Sequence, residues 1–423
     1  MQRVSETQLY HVELSRKPKN IKMHNQKLVL NLLRNTGALS AADLAENTSL
    51  SKTTVMKILD KLQMRGMVIS AGEGNSTQEG GRKPQLFQAN AGFRYAVSLY
   101  ISENAAHIGI IDFLGKIVAK TSVSFQDPSD ADRSLKETAE GIKQLLAEKE
   151  LAYNLICSIA AGVDGIVNAE KGIVYYPIHN PDWGKNIPVL DILKRYLPEF
   201  DVITIENSGR YSAYTLLSMH VDLRNKRVFS IQAGYYTGGC FFERGKIVRG
   251  ANCFLGEIGH ISVLPDDPDF PCECGNQGCF ETVISPKAIS YWAAKLEKEH
   301  GRTALSERLT GGLAEPIELF DAANAGDVFA RLVVAKLSTF FVKLIRNIAL
   351  LCDPEVVVIS GLYRHGGKYF MEQLKNGLRK SSLFDMSNEI RLIYADLDIN
   401  SCISGGGIYM IDQYIDGKAP FAD

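Results

Sequence analysis

The sequence predicts an α/β protein with a small, mainly helical head and a larger body of two lobes. Three observations support this prediction. Apolar residues recur at helical spacing between residues 24 and 62. From Tyr95 onward the pattern changes to short runs in the order β-β-β-α-β-α, and a comparable set begins at Val228. The 423-residue chain is also too long for one ordinary core and suits two or three domains.

Three helices are predicted in the head. Residues 24–36 place Leu28, Leu32 and Leu33 on one face, and Gly37 ends this helix. The run from Ser40 to Asp43 resembles a capping box and begins a second helix. Ser51 is a good N-cap for a third helix. Its apolar residues follow i, i+3, i+4, i+7 spacing and are Val55, Ile58, Leu59 and Leu62.

The third helix has a polar first turn and a polar outer face. The residues offered there for DNA contacts are Lys52, Thr53, Thr54 and Lys57. Residues 67–71 and 85–89 form a predicted hairpin, whose loop carries Arg82 and Lys83 toward a minor groove or the phosphates. Together these features predict a winged helix-turn-helix DNA-binding domain over residues 21–90, after a polar tail over 1–20. The alternative is a three-helix interaction module that touches no DNA.

The charge of the chain is unevenly distributed, although the net charge is only −1. Residues 1–95 carry 14 Lys/Arg and 7 Asp/Glu, whereas the remainder carries 33 basic and 41 acidic residues. A basic head on an acidic body favours a head that meets phosphates.

The β-β-β-α-β-α order of the body is that of an actin-like ATPase lobe. We therefore expect a first lobe over 91–206 and a second over 207–401, with a C-terminal helix over 402–423 that returns to the first lobe. Two such lobes normally enclose a cleft. Neither a GxxxxGK[ST] loop nor a GxGxxG fingerprint is present, so P-loop and Rossmann chemistry are not indicated.

The sequence has no apolar run long enough to span a bilayer, and residues 1–20 lack the apolar segment of a signal peptide. We therefore expect a cytoplasmic protein without a membrane partner. Its eight cysteines are then expected to be reduced, which makes clustered cysteines metal ligands before disulfides.

Two motifs in the second lobe are the most specific features of the chain. The first is Glu257-Ile-Gly-His260, and the second runs from Cys272 to Glu281 as Cys-Glu-Cys-Gly-Asn-Gln-Gly-Cys-Phe-Glu. Over roughly residues 21–423 the chain resembles the ROK family of repressors and sugar kinases, and more closely its regulator branch, which includes xylose and N-acetylglucosamine repressors. The resemblance implies a sugar-kinase-like body.

The resemblance also implies a structural Zn²⁺ site. Its ligands would be three thiolates and one imidazole, from His260, Cys272, Cys274 and Cys279. Such a closed Cys3His site leaves no position for water, so hydrolysis is not implied. The alternative is a set of free or disulfide-bonded cysteines.

A sugar site is implied beside the zinc. By resemblance its pyranose contacts are Asn207, Glu257, His260 and Glu281, and the loop from Gly162 to Gly165 forms a rim together with Asn180. The alternative for Glu257 and Glu281 is solvated acidic surface.

The sequence departs from the ROK kinases at the three parts that phosphoryl transfer needs. Their Asp-x-Gly-x-Thr phosphate loop reads Tyr-Ile-Ser-Glu-Asn over 100–104, so Tyr100 replaces the aspartate. Their second, Gly-rich loop carries Tyr235 and Tyr236, which block close backbone approach to phosphates. Their Glu-Asn-Asp motif ends in Ser208, and a serine is no general base near neutrality. We therefore expect no enzyme activity.

These features predict a sugar-responsive transcriptional regulator, most simply a repressor of carbohydrate-utilisation genes. The expected partners are double-stranded operator DNA with an inverted repeat, a sugar or phosphosugar inducer, and further copies of the chain in a homodimer or dimer of dimers. Sugar would close the cleft and shift the paired heads away from the half-site spacing. The alternative is an active ROK sugar kinase with an accessory DNA-binding head.

Overall fold

The computed structural model describes residues 18–74, 83–265, 267–379 and 386–417, and its N-terminal part is a small head. It consists of three helices and a three-stranded antiparallel sheet in the order β1-β3-β2. These elements are α1 (Pro18–Thr36), β1 (Leu39–Ser40), α2 (Ala41–Thr48), α3 (Lys52–Met64), β2 (Val68–Glu73) and β3 (Gln85–Ala89).

Capping residues set the helix boundaries in the head. The Ser40 hydroxyl accepts from the backbone N–H of Asp43, whose carboxylate accepts from the backbone N–H of Ser40. The hydroxyl of Ser51 caps α3 by accepting from the backbone N–H of Thr54. Both predicted helix starts are therefore confirmed.

The first helix differs from the prediction in its start and in its buried face. It begins at Pro18 rather than residue 24, and Leu28 is 39% exposed. The buried row is instead Gln26, Val29, Leu30 and Leu33, which has i, i+3, i+4, i+7 spacing. Because this row includes a polar glutamine, apolar spacing alone selected the wrong face.

The first lobe begins directly after the head. It contains β4 (Tyr95–Ile101), β5 (Ala105–Ile111), β6 (Ile117–Ser124), α4 (Ala131–Glu148), β7 (Ile156–Val163), β8 (Gly165–Asn168), β9 (Ile173–Pro177), α5 (Val189–Tyr196) and β10 (Ile203–Asn207). Two helices then lead to the second lobe, namely α6 (Ser208–Tyr214) and α7 (Leu216–Met219).

The second lobe has a sheet of five strands and a larger set of helices. It contains β11 (Arg227–Ala233), β12 (Gly238–Glu243), β13 (Lys246–Ile247), α8 (Phe280–Ile284), α9 (Pro286–His300), α10 (Ala304–Thr310), α11 (Pro316–Ala325), α12 (Val328–Cys352), β14 (Val356–Gly361), α13 (Gly367–Arg379), α14 (Met386–Glu389) and β15 (Arg391–Tyr394).

The two five-stranded sheets share one topology. Their orders are β10-β7-β4-β5-β6 and β13-β12-β11-β14-β15. In each sheet an antiparallel meander opens the lobe, and two later strands add in parallel beside its first strand. This duplication confirms the predicted two-lobed, actin-like α/β body.

The last described helix, α15 (Ile399–Asp416), packs on β4, β7 and α6 of the first-lobe side. It starts at Ile399 rather than residue 402, and residues 418–423 lie outside the described part of the chain. Its far end meets the head, where Arg34 pairs with Asp412 at 2.9 Å and donates to the backbone oxygen of Phe113 at 2.8 Å. The side chain of Arg34 is only 4% exposed, so a buried ion pair joins head and body.

No described helix is long and apolar enough to cross a membrane.

Candidate functional site

A cavity of about 430 Å³ lies between the two lobes. It opens at the carboxyl ends of the parallel strands β7, β10 and β11, where α/β sheets commonly bind ligands. The four residues that the sequence offered as pyranose contacts all line it, namely Asn207, Glu257, His260 and Glu281. These side chains come from three separate stretches of the chain, so the fold brings them together.

Two glycines allow the loops of this site to approach each other. Gly256 has a φ of 104°, and a Cβ there would lie 2.2 Å from the backbone oxygen of Gly239. Gly278 has a φ of 65°, and a Cβ there would lie 1.5 Å from the backbone oxygen of Leu264. Only glycine fits at both positions. The first fixes the turn before Glu257, and the second holds the cysteine-rich loop against its neighbour.

The cysteine-rich loop forms a cluster of four potential metal ligands. One ligand atom from each of His260, Cys272, Cys274 and Cys279 lies within 4.8 Å of the others. The Sγ of Cys272 is 3.5 Å from the Nδ1 of His260, and the Sγ atoms of Cys274 and Cys279 are 3.6 Å apart. These residues could therefore hold one metal ion.

The cluster is connected to the cavity through Glu281. Its Oε1 lies 3.1 Å from the Sγ of Cys272 and 3.2 Å from the Nδ1 of His260. A metal bound by the cluster would thus fix the orientation of two cavity-lining residues, His260 and Glu281.

Glu257 is held by a buried charge network behind it. Arg210 pairs with the fully buried Glu206 at 3.1 Å and donates to the backbone oxygens of Cys253 and Leu255 at 3.1 and 2.8 Å. These bonds fix the loop that leads to Glu257. Burial raises the pKa of Glu257, and the positive charge of Arg210 opposes that shift.

A second network surrounds Asp164 at the opposite side of the cavity. Its Oδ2 accepts from the hydroxyl of Tyr100 at 2.8 Å and lies 2.6 Å from the Nδ1 of His179, while its Oδ1 accepts from the hydroxyl of Ser208. The hydrogen bond to Asp164 raises the pKa of His179. The pKa of Tyr100 is also raised, mainly by burial and to a smaller extent by the negative charge of Asp164. Two of the positions that depart from the kinases, Tyr100 and Ser208, thus bind the same carboxylate.

Two buried polar atoms at the cavity lack partners within the described residues. They are the Oγ1 of Thr237 and the Nε2 of His179, and both residues line the cavity. Because buried polar atoms are nearly always hydrogen-bonded, these two favour a polar ligand.

The predicted rim lies only partly in the cavity lining, which includes Asp164 and Gly165 but neither Gly162 nor Asn180. Gly162 lies within β7, where a Cβ would be 2.5 Å from the Sγ of Cys402. Asn180 is 5% exposed and donates to the backbone oxygen of Glu103 at 2.9 Å. Sequence reasoning missed His179, Arg210 and Asp398, which do line the cavity, because no motif marks them.

The predicted DNA-contacting residues lie on an outer face of the head. Lys52, Thr53 and Lys57 are exposed on α3, and Thr54 is half-buried, with its hydroxyl bonded to that of Ser51. Lys83 is exposed just before β3, while Arg82 lies outside the described residues.

Comparisons with known proteins agree with this architecture. Residues 97–415 match the ROK family, and residues 24–69 match a winged helix-turn-helix DNA-binding domain. The xylose repressor of Caldicellulosiruptor bescii is 23% identical over 91% of this chain and 94% of its own length. A glucokinase of Halalkalibacterium halodurans is 25% identical over 74% of this chain and 94% of its own length.

A solved structure shows the same fold. The crystal structure of a ROK family transcriptional regulator, described as a homologue of the E. coli MLC protein, superposes with a TM-score of 0.72. It is 22% identical and covers 93% of this chain and 96% of its own. Because the family match spans most of the body, the chain belongs to the ROK family and carries a winged helix-turn-helix domain at its head.

Proposed function

We propose that this protein is a sugar-responsive, DNA-binding transcriptional repressor. The observation that carries the proposal is the combination of a winged helix-turn-helix head with a cleft whose sugar side is intact and whose phosphate side is altered. Relatives support it, since the xylose repressor aligns with head and body, whereas the glucokinase aligns with a shorter share of the chain.

The sugar side of the cleft suits several hydroxyl groups at once. Glu257 and Glu281 offer carboxylate oxygens, and Asn207 offers an amide that already caps α6 through its oxygen and donates to Gly165 through its nitrogen. The unpartnered Thr237 and His179 atoms add further positions for polar contacts.

The catalytic side does not suit phosphoryl transfer. Ser208 replaces the general base of the kinases, and its hydroxyl donates to Asp164. Asp164 is the nearest substitute base, but both its oxygens are engaged by Tyr100, His179 and Ser208. We therefore infer that sugar binds without being phosphorylated.

The metal is proposed to be a structural Zn²⁺. A tetrahedral zinc with ligand distances of about 2.3 Å to sulfur and about 2.0 Å to nitrogen has edges of about 3.8 Å and about 3.5 Å. The observed sulfur–sulfur distance of 3.6 Å and sulfur–nitrogen distance of 3.5 Å fit these edges. All four positions are filled by protein, so the metal would hold the loop rather than activate water.

Signal transfer is proposed to run along α15. Cys402 near its start lines the sugar cavity, and Asp412 near its end pairs with Arg34 of the head. A shift of α15 on sugar binding would therefore reach α1 directly. Since the ligand would favour the state that binds DNA poorly, DNA must weaken sugar binding by the same factor. We also propose that the protein is a homodimer, because one head alone would bind DNA with too little affinity and specificity.

The test is fluorescence anisotropy on DNA from upstream of the protein's own gene, at fixed moderate salt. We expect tight binding that one sugar of a panel releases. Lys52→Gln should weaken binding and lower the slope of log affinity against log salt by about 1. Lys298→Gln removes the same charge from an exposed lysine of the body. It should change neither the DNA affinity nor its dependence on salt.

A sugar kinase with an accessory head is the competing function, favoured by the glucokinase relative. A coupled ADP-release assay with the same sugars separates the two. Turnover that disappears in Asp164→Asn would establish the kinase and overturn the proposal. Absence of specific DNA binding would also contradict it.

A further inference from the structure

A second cavity of about 470 Å³ adjoins the sugar cavity. The two share Gln232, Tyr235 and Tyr236 in their linings, so they meet at these residues. Tyr235 and Tyr236 are 67% and 61% exposed, although both line the cleft. The far wall of the second cavity includes the apolar side chains of Ile317 and Leu362.

The two cavities differ in chemistry. The first presents carboxylates, an amide and imidazoles, which suit ring hydroxyls. The second also includes Glu315, Arg364 and His365, but most of its surface is aromatic and aliphatic, which suits the C–H faces of a sugar ring stacked on tyrosine. The first cavity, of about 430 Å³, is within the size range of pockets for drug-sized ligands. A single hexose is smaller than such a ligand. A ligand limited to one ring would leave the tyrosines without a role.

The electrostatics disfavour an anionic ligand. Asp164, Glu257, Glu281 and Asp398 all line the first cavity, and Glu315 lines the second. Of the described residues that line either cavity, only Arg210 and Arg364 carry a permanent positive charge. Arg210 is already paired with Glu206 at 3.1 Å, and Arg364 is paired with Asp396 at 2.8 Å. A phosphate dianion would therefore meet excess negative charge without an available cation.

Tyr236 also closes the junction from one side. Its ring lies edge-on to the imidazole of His179, with centroids 4.3 Å apart. Tyr235 lacks such a ring contact among the described residues, so its face remains open toward both cavities.

We infer that the effector of this protein is an uncharged sugar of at least two rings. One ring occupies the carboxylate-lined cavity, and the next stacks on Tyr235 beside Tyr236. This inference rests on the proposed sugar-sensing function and names the ligand class of that same site.

The test is isothermal titration calorimetry of the full chain with matched pairs of sugars. The pairs are glucose with cellobiose or maltose, xylose with xylobiose, and N-acetylglucosamine with its β-1,4 dimer; glucose 6-phosphate and N-acetylglucosamine 6-phosphate are included as anionic probes. We expect one disaccharide to bind at least about tenfold more tightly than its monosaccharide, the scale of one good aromatic contact.

Variants then locate the second ring. Tyr235→Ala should weaken the disaccharide about five- to tenfold and leave the monosaccharide within about twofold. Tyr235→Phe should retain most of the disaccharide affinity, because the ring remains. Tyr153→Ala removes an exposed tyrosine that lines neither cavity and should leave both affinities unchanged.

Three outcomes would overturn the inference. They are a monosaccharide that binds as tightly as its disaccharide, a Tyr235→Ala variant that keeps the wild-type affinity for the disaccharide, and a sugar 6-phosphate that binds tightest. The DNA-release assay keeps the two proposals apart. Release by a monosaccharide alone would refute the two-ring ligand and leave the sensor standing, whereas release by no sugar of either size would refute both.

Discussion

The two sides of the interlobe cleft have opposite characters. On the side of the cysteine-rich loop, Glu257, His260 and Glu281 converge on the cavity, supported by the four-ligand cluster and by Arg210. On the other side, Tyr100, Ser208 and His179 all bind Asp164. The first side directs polar groups toward a ligand, while the second directs them toward each other.

This difference separates recognition from catalysis within one fold. A kinase needs both sides, because the ligand must be held and a phosphoryl group must be placed and attacked. A sensor needs the first side alone, and its second side can be filled with hydrogen bonds and aromatic rings. The four predictions below test this division, beginning with the largest expected effect.

The strongest test removes the metal cluster. Cys279→Ser, at a buried ligand position, should abolish metal binding and weaken sugar binding by more than about 100-fold, because the loop that carries His260 and Glu281 loses its support. Metal content by mass spectrometry and sugar affinity by calorimetry measure both effects. Cys352→Ser changes a half-buried cysteine outside the cluster and should retain metal and affinity. Undiminished sugar binding without metal would show that the sugar side is self-supporting.

Glu257 is the next test. Glu257→Gln keeps the shape but removes the charge, and we expect the sugar dissociation constant to rise about 10- to 100-fold, the range for hydrogen bonds to charged groups. Titration calorimetry measures the change. Glu273→Gln neutralises an exposed glutamate in the cysteine-rich loop and should have little effect. Equal losses in the two variants would point to general electrostatics instead of a contact with sugar.

Restoring the missing base tests the other side. Ser208→Asp should produce no sugar-dependent ADP release, because Tyr100 and Tyr236 still occupy the phosphate loops. It should also lower the melting temperature relative to Ser208→Asn, since a second carboxylate would stand against Asp164. Measurable phosphorylation by Ser208→Asp would mean that one residue separates sensor from kinase.

The smallest expected effect concerns pH. The hydrogen bond to Asp164 raises the pKa of His179 above its ordinary value of 6.5. The stability that this pair contributes is therefore fully present below about pH 6.5 and is lost as pH rises through the higher folded-state pKa. NMR titration of His179 should show the raised pKa, and Asp164→Asn should lower it. An identical His179 pKa in the unchanged protein and in Asp164→Asn would show that Asp164 does not stabilise the charged imidazole.

The fold was predictable because its patterns are local and repeated. Capping at Ser40 and Ser51, the α3 stripe and the order of strands were all visible in the sequence. The buried row of α1 was missed because Gln26 interrupts it. The wing residue Arg82 falls outside the described residues, so its predicted role stays a prediction.

The site was predictable where one short motif carries it. Glu257, His260 and Glu281 lie within 25 residues and were found together, whereas His179 and Asp398 reach the cavity from distant segments. Asp164 was noted as part of a rim, but its three partners are separated from it by 64, 15 and 44 residues. Such long-range contacts have no sequence period and require the folded chain.

The contact between Arg34 and Asp412 spans 378 residues of chain. At a synthesis rate of about 5–20 residues per second, the head leaves the ribosome roughly 20 to 75 seconds before the helix that receives it. During that interval Arg34 has no carboxylate from α15 to pair with, and the DNA-reading helices rest on their own small core. A nascent chain thus displays a head that can fold early but acquires its buried ion pair with the body only after α15 has been synthesised.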